Sequence, residues 1–367
     1  MNDVIEKIVK QSSHLSWMRD GVIYLTLYGS KAYGTDTPTS DEDYKGVAIP
    51  PKQYFYGFQH KFEQAELKEP DTVIYDIRKF FNLASNANPS IIETLYTDDK
   101  DRVLVSPIGE ILLANRDRFL SKRVRYTFSG YAVSQLNRIK LHRRYLLNPP
   151  THFPTRKEFG LPEETLIPAD QLMAAEAEIK KELEKYQFDF LGELSEPMKI
   201  MIRNSMSDIL TDLKISKDDQ WLAASRKVGF NDNFIEFMKK ERAYKNLKTE
   251  WDNFQTWKKN RNVKRAADEA KFGYDAKHAY HLIRLMRMCR EILTTGKVIV
   301  KRPDREELLA IRNGAWSYEQ IVEFAEREDK DLQLVYETNN VLPKTPDIKF
   351  LYNLCVELVE RQLCDVY

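Results

Sequence analysis

Apolar and polar positions follow two different rhythms along this chain, and the change of rhythm divides it. Val4, Ile5, Ile8 and Val9 recur at helical spacing, which predicts a short amphipathic helix over 3–14. Val22–Tyr28 is a β-branched and aromatic run that stops at Gly29, as a buried strand would. Segment 44–49, closed by Pro50 and Pro51, predicts a second strand; 61–67 and 72–77 predict a third and a fourth. Helical spacing takes over at 76–84, and 90–96 fits either a helix or a strand. After Ser106 and Pro107 the strand signals almost vanish. Helical periodicity then covers 107–146, 169–187, 196–215, 218–228, 231–259, 275–295, 304–312, 317–334 and 347–364. Five prolines in 147–168 mark a loop or linker, and a Pro-containing break follows at 339–346. The expected fold class is α+β: a small mixed-sheet domain over 1–115, then an all-helical domain about twice its size over 116–367.

Composition narrows the picture. The 367 residues suggest two or three domains, and 42% hydrophobic with 31% charged residues allows a sizeable core and argues against global disorder. The 15 prolines and 13 glycines are too few for an all-β or linker-rich chain. Cys289, Cys355 and Cys364 make neither a disulfide framework nor the CxxC pairs of a zinc site, and read as reduced thiols. No apolar run approaches the ~20 residues of a membrane span, and the N-terminal segment lacks the apolar core of a signal peptide. A cytoplasmic protein with no membrane partner is the expectation.

The formal charge of +1 hides a strong segregation. Residues 1–115 carry a net −5, 116–146 a net +8, 147–238 a net −6, 239–305 a net +11 and 306–367 a net −7. Two basic blocks therefore alternate with three acidic ones. Clustered Lys and Arg are the footprint of a polyanion partner, although basic helices are also ordinary solvated faces. If the acidic C-terminal block packs on the basic helices, much of that footprint is neutralised.

Candidate chemistry concentrates after the first predicted strand, in Tyr28-Gly29-Ser30-Lys31-Ala32-Tyr33-Gly34-Thr35 and Thr39-Ser40-Asp41-Glu42-Asp43-Tyr44-Lys45-Gly46-Val47. Glycine lets the backbone turn sharply beside a ligand, and the Ser30 hydroxyl suits a phosphate. Asp41 and Asp43 stand two apart at the head of a strand, so both carboxylates share a face, with Glu42 opposite. Side-by-side carboxylates repel, and a hard cation such as Mg²⁺ or Mn²⁺ resolves the conflict. Asp76, at the end of another strand-like run, supplies an isolated third acid for metal binding or for accepting a proton. Its alternative is the N-cap of the helix starting at Ile77. Ser40 is a further phosphate candidate, and Lys31, one residue after Ser30, could reach a phosphate, with surface placement as its alternative. An EF-hand reading fails because lysines occupy positions 45 and 52, where ligands are needed. No P-loop or Rossmann glycine pattern occurs at a strand–helix junction.

These residues resemble the DNA polymerase β superfamily of nucleotidyltransferases, whose pattern is a strand, Gly-Ser, about ten residues, Asp-x-Asp and a later acid. The finer form, Gly29-Ser30-x-Ala32-Tyr33-Gly34 and Ser40-Asp41-x-Asp43-x2-Gly46, is similar to the RlaP type of bacteria and phages, named for its association with RNA-repair genes. The resemblance continues through Asp76-Ile77-Arg78-Lys79-Phe80, Asn88-Pro89-x5-Leu95 and Phe272-Gly273-Tyr274-Asp275-x-Lys277-His278-x2-His281-Leu282-x-Arg284-Leu285. It implies an NTP substrate, Mg²⁺ or Mn²⁺, and transfer of NMP to a hydroxyl.

Within the helical motif, Lys277, His281 and Arg284 share a helix face and form a basic stripe able to hold a triphosphate or an acceptor backbone. Their alternative is solvated surface charge, with His278 at the core edge. Metal binding by His278 and His281 is not expected, because no acid is placed beside them in a known ligand pattern. The segment 138–144, basic and preceded by Tyr126, Phe128 and Tyr131, suits nucleic acid, though such aromatics also serve as core. An RNA or tRNA end is the leading acceptor, the blocks of +8 and +11 favouring a polyanion. A protein hydroxyl or a small molecule such as an aminoglycoside is the alternative, and a non-catalytic binding protein the third reading.

Overall fold

The computed structural model describes residues 3–59, 61–165, 167–188, 217–261 and 263–364. A mixed five-stranded sheet with flanking helices forms the N-terminal part, and the rest of the described chain is helical. The strands are β1 (Val22–Tyr28), β2 (Asp43–Ala48), β3 (Gln64–Lys68), β4 (Asp71–Asp76) and β5 (Arg102–Val105), in the spatial order β3-β4-β2-β1-β5. All neighbours are antiparallel except β2 and β4, which run parallel with Asp43 opposite Asp71. The predicted helix over 196–215 lies outside the described residues. The predicted 107–146 helix is two, Pro107–Ala114 and Val124–Leu147, separated by a 3₁₀ turn at Arg116–Phe119.

The chain divides into two compact units, 1–143 with 264–367, and 144–263. They do not part at 115/116, where the rhythm changes. One hydrophobic cluster runs from Ile23, Tyr24 and Val47 through Phe80, Ile92, Phe119 and Phe128 to Tyr280, Leu282, Met286, Ile321 and Leu358. The helical segments at both ends of the chain thus bury the sheet's inner face. The opposite face, through Val22, Leu25, Ala48 and Ile74, is covered by Val4, Ile5, Ile8 and Val9 of helix Asp3–Gln11. That helix forms because its apolar positions fall on one stripe, with Asp3 and Glu6 in the first turn and Lys10 in the last.

The unit 144–263 has its own small core, Ala175, Ile179, Trp221, Ala224, Ile235 and Met238. Its long helix, Asp232–Asn260, starts at Asn231, whose side chain accepts from the Phe234 N–H at 2.9 Å. The buried Glu241 on that helix pairs with the guanidinium of Arg156 through both oxygens. A buried carboxylate needs such a two-point partner to offset desolvation.

Candidate active site

Gly29 is where β1 becomes the helical turn Gly29–Tyr33, and its backbone is left-handed, at φ 67°. A second constraint acts at the same position. A Cβ on Gly29 would stand 2.1 Å from Asp43 Oδ2, so the bare Cα forms a cradle for that carboxylate. Only glycine meets both demands. The turn ends at Gly34, also left-handed, and the oxygens around it are held from the C-terminal segment. Arg305 Nε donates to Gly34 O, Arg302 N–H donates to Tyr33 O at 3.0 Å, and the Thr35 and Tyr280 hydroxyls share a hydrogen bond of 2.7 Å.

Across the sheet, Tyr28, Asp43 and Asp71 sit in one row on β1, β2 and β4. Asp43 and Asp71 face the same side, because paired residues in a sheet project together. Asp41, exposed, immediately precedes β2. Burial and the Asp71 carboxylate push the Asp43 pKa above its ordinary value; Asp41 adds to this, while Lys277 and Lys45 oppose it. An oxygen-only set of three carboxylates, one of them resisting ionisation, fits a hard divalent cation. Among the described residues the oxygens of Asp41, Asp43 and Asp71 do not all approach within 4.8 Å of one another. Three like charges stay apart until a cation offsets their repulsion.

Asp76 is elsewhere. It lies at the far end of β4, opposite Ala48, about 16 Å along the strand from Asp71 at ~3.3 Å per residue. Its side chain caps helix Ile77–Ser85 by accepting from the Arg78 N–H at 2.8 Å, and it takes the Arg78 guanidinium through both oxygens at 2.9 and 2.8 Å. It is buried and does not line the cleft. The cap alternative describes it, and Asp71 occupies the position expected of the third acid. Sequence reasoning passed over Asp71 because the parallel register of β2 and β4 carries no local signal. Its acid at the head of a predicted strand was the only available clue.

The row opens into a cleft of about 1030 Å³ lined by Gly29, Ser30, Ser40, Asp41, Asp43 and Asp71, and by Arg138, Lys277, His278, His281 and Arg284 from the helices Val124–Leu147 and Ala276–Thr295. Lys31 is not part of the lining; its ammonium pairs with Glu42 at 2.6 Å, and Glu42 also accepts from the Tyr44 hydroxyl at 2.7 Å. Ser40 Oγ accepts from the Thr37 N–H at 2.8 Å and so shapes the turn before Asp41.

The expected Lys-His-Arg stripe resolves into three different environments. Lys277 is near enough to Asp43 to oppose its pKa rise. Burial and the cations of Arg284 and Lys277 push the His281 pKa well below its ordinary value, so this ring is neutral at pH 7. Arg284 is buried and bonded to Glu93, whose second oxygen accepts from the hydroxyls of Tyr28 (2.7 Å) and Tyr33 (2.6 Å). Its guanidinium also stacks 3.9 Å from the Tyr33 ring centroid. Arg284 therefore ties helix Ala276–Thr295 to the Gly29–Tyr33 turn and does not offer an unpaired charge to a ligand. Lys45 was not singled out from the sequence. It lies over the Tyr28 ring, donates to Ser90 Oγ, and is driven by burial to a pKa of about 8.

Comparison with known proteins adds two findings. Over 124 residues the chain is 27% identical to an uncharacterized 38.9 kDa protein in the nrdC-mobD intergenic region of Enterobacteria phage T4. That similarity covers 30% of this chain and 36% of the phage protein. Residues 1–147, with β1 to β5 and the Gly29-Ser30 and Asp41-x-Asp43 motifs, match the model of the RlaP family, the RNA repair pathway DNA polymerase beta family.

Proposed function

We propose that this chain is a divalent-cation-dependent nucleotidyltransferase that moves NMP from an NTP to a hydroxyl and releases pyrophosphate, with an RNA end as acceptor. The observation that carries this reading is the row of Asp43 and Asp71 beside Asp41, with the Gly29 cradle, at the mouth of a cleft large enough for a nucleotide.

Asp41, Asp43 and Asp71 would hold Mg²⁺ or Mn²⁺, which when bound neutralises triphosphate oxygens and makes an acceptor hydroxyl more acidic. Ser30, beside the cradle, donates its hydroxyl to a phosphate oxygen. The acceptor oxygen attacks the α-phosphorus as the bond to the β-phosphate oxygen breaks. Asp71, exposed at the head of β4, takes the acceptor's proton. Lys277 meets the charge gathering on pyrophosphate. His281, neutral, serves as a hydrogen-bond partner rather than a cation.

A protein or small-molecule hydroxyl is the second acceptor reading. What favours it is that many arginines of the two basic blocks are engaged by acidic side chains of the same unit. The test is incubation with each α-labelled NTP, Mg²⁺ or Mn²⁺, and tRNA, nicked tRNA, short RNA, DNA or total protein. Label should appear on RNA. Asp43→Ala and Asp71→Asn should each reduce transfer by at least ~10²–10³-fold. Asp76→Asn should keep its kcat and lose only about 1–2 kcal/mol of stability. Transfer that survives the Asp43 and Asp71 changes would sink the mechanism. Label confined to a protein band would replace the acceptor.

A further inference from the structure

A second cluster of metal-ligating side chains lies beside the cleft, which His278 alone of its three members lines. His142, near the C-terminal end of helix Val124–Leu147, meets Asp275 and His278 at the start of helix Ala276–Thr295. One ligating atom from each of the three lies within 4.8 Å of the others. Asp275 Oδ2 is 3.5 Å from His278 Nε2, close to the ~3.3 Å between neighbouring ligand atoms that metal–ligand bonds of 2.0–2.1 Å produce in a tetrahedral site. The two rings are edge to face, with centroids 5.7 Å apart.

The supporting contacts are those that orient metal ligands. His278 Nδ1 is 2.7 Å from Gln135 Oε1, and a carbonyl there selects the Nδ1–H tautomer. That tautomer turns the Nε2 lone pair toward the Asp275 carboxylate, an arrangement that repels unless a proton or a metal ion stands between them. The other oxygen of Asp275 is held by the His278 N–H at 3.0 Å. Glu269 Oε1 stands 3.4 Å from His142 Nδ1, near the carboxylate–histidine pairing that orients metal-bound imidazoles. Asp275 and Glu269 are 3% and 2% exposed, so two carboxylates are drawn out of water around two imidazoles. Buried acids of this kind are paired or coordinate a metal.

We propose that His142, Asp275 and His278 form a site for a borderline divalent transition metal of the zinc class, which fastens helix Val124–Leu147 to the start of helix Ala276–Thr295. The nitrogen-rich donor set selects zinc over magnesium, and a water completes four-coordination. This metal is additional to the one held by oxygen donors at Asp41, Asp43 and Asp71, and its existence does not depend on the catalytic reading.

The test uses full-length protein carrying Asp41→Ala and Asp43→Ala, which removes the oxygen-donor site. Metal-stripped protein titrated with Co²⁺ should take up one equivalent, show the intense visible bands of four-coordinate cobalt, and lose them to Zn²⁺. His142→Ala and His278→Ala should abolish those bands. Gln135→Ala should weaken binding by about 10–100-fold. His142→Cys should retain the metal and add a thiolate-to-cobalt charge-transfer band, a gain of signal that a misfolded variant would not produce. Weak six-coordinate spectra in the parent would overturn the proposal. So would tight binding that persists in both alanine variants, or a His142→Cys protein with native circular dichroism and no thiolate band. The last two outcomes would leave a proton, shared between His278 and Asp275, as the occupant.

Discussion

Gly29 and Asp43 act as a pair. The missing Cβ at one admits the carboxylate of the other, and that burial raises the Asp43 pKa. A carboxyl whose folded pKa lies above its unfolded value binds its proton more tightly in the folded state. Its charge therefore subtracts from stability above the folded pKa, and the loss is relieved as pH falls through that value. The groups facing it are Asp71 and Asp41, which raise the pKa, and Lys277 and Lys45, which lower it. In metal-free protein, Asp43→Asn should have a higher Tm than wild type at neutral pH, and the gap should close on acidification. Adding Mg²⁺ should raise the wild-type Tm and leave that of Asp43→Asn unmoved; thermal unfolding across pH checks both. Asp41, Asp43, Gly29 and Ser30 were legible in the sequence because turn glycine, period-2 spacing and charge are local properties. Asp71 was not, since it joins Asp43 only through strand pairing across a long stretch of chain.

The helix Ala276–Thr295 shows what periodicity can and cannot convey. Its span and its apolar stripe, with Leu282, Leu285, Met286, Cys289 and Leu293 buried, follow the predicted pattern. The fate of its cations does not. Arg284, Arg287 and Arg290 meet Glu93, Asp304 with Glu307, and Glu328 with Asp331, partners supplied by other elements. Arg284 is thus a brace between this helix and the Gly29–Tyr33 turn. Arg284→Met should cost about 3–5 kcal/mol in chemical denaturation, because Glu93 is left buried without its cation. Lys277→Ala, by contrast, should raise KM for NTP. Strand β5 was missed because four residues, Arg102–Val105, are too few to register as an alternation.

At the scale of the molecule, part of the −7 block near the C-terminus is counter-charge for the basic blocks. Arg125 pairs with Asp329, Arg143 with Glu319, Arg287 with Glu307 and Arg290 with Glu328. Segregation along the sequence is not segregation in space. Lys68, Arg138, Lys277 and Arg312 line the cleft, where a polyanion would meet them. The slope of log K for RNA binding against log salt should be about −3 to −4, at 0.7–0.9 per phosphate contact, and far shallower than the basic blocks imply. The change of rhythm near 115 marked where strands end, but the core does not respect it, because residues 264–367 return to the unit begun by 1–143. This discontinuity matters while the chain is being made. The Gly29–Tyr33 turn and its aspartates emerge from the ribosome early, yet Glu93 waits for Arg284, and Thr35 for Tyr280, until some 140 further residues have followed residue 143. At about 5–20 residues per second that is a delay of roughly 7–28 s, during which the sheet's inner face lacks much of its cover. The 147 residues that match the family are therefore a stretch of sequence rather than a unit of folding, and expressed alone they should not reach a protease-resistant state.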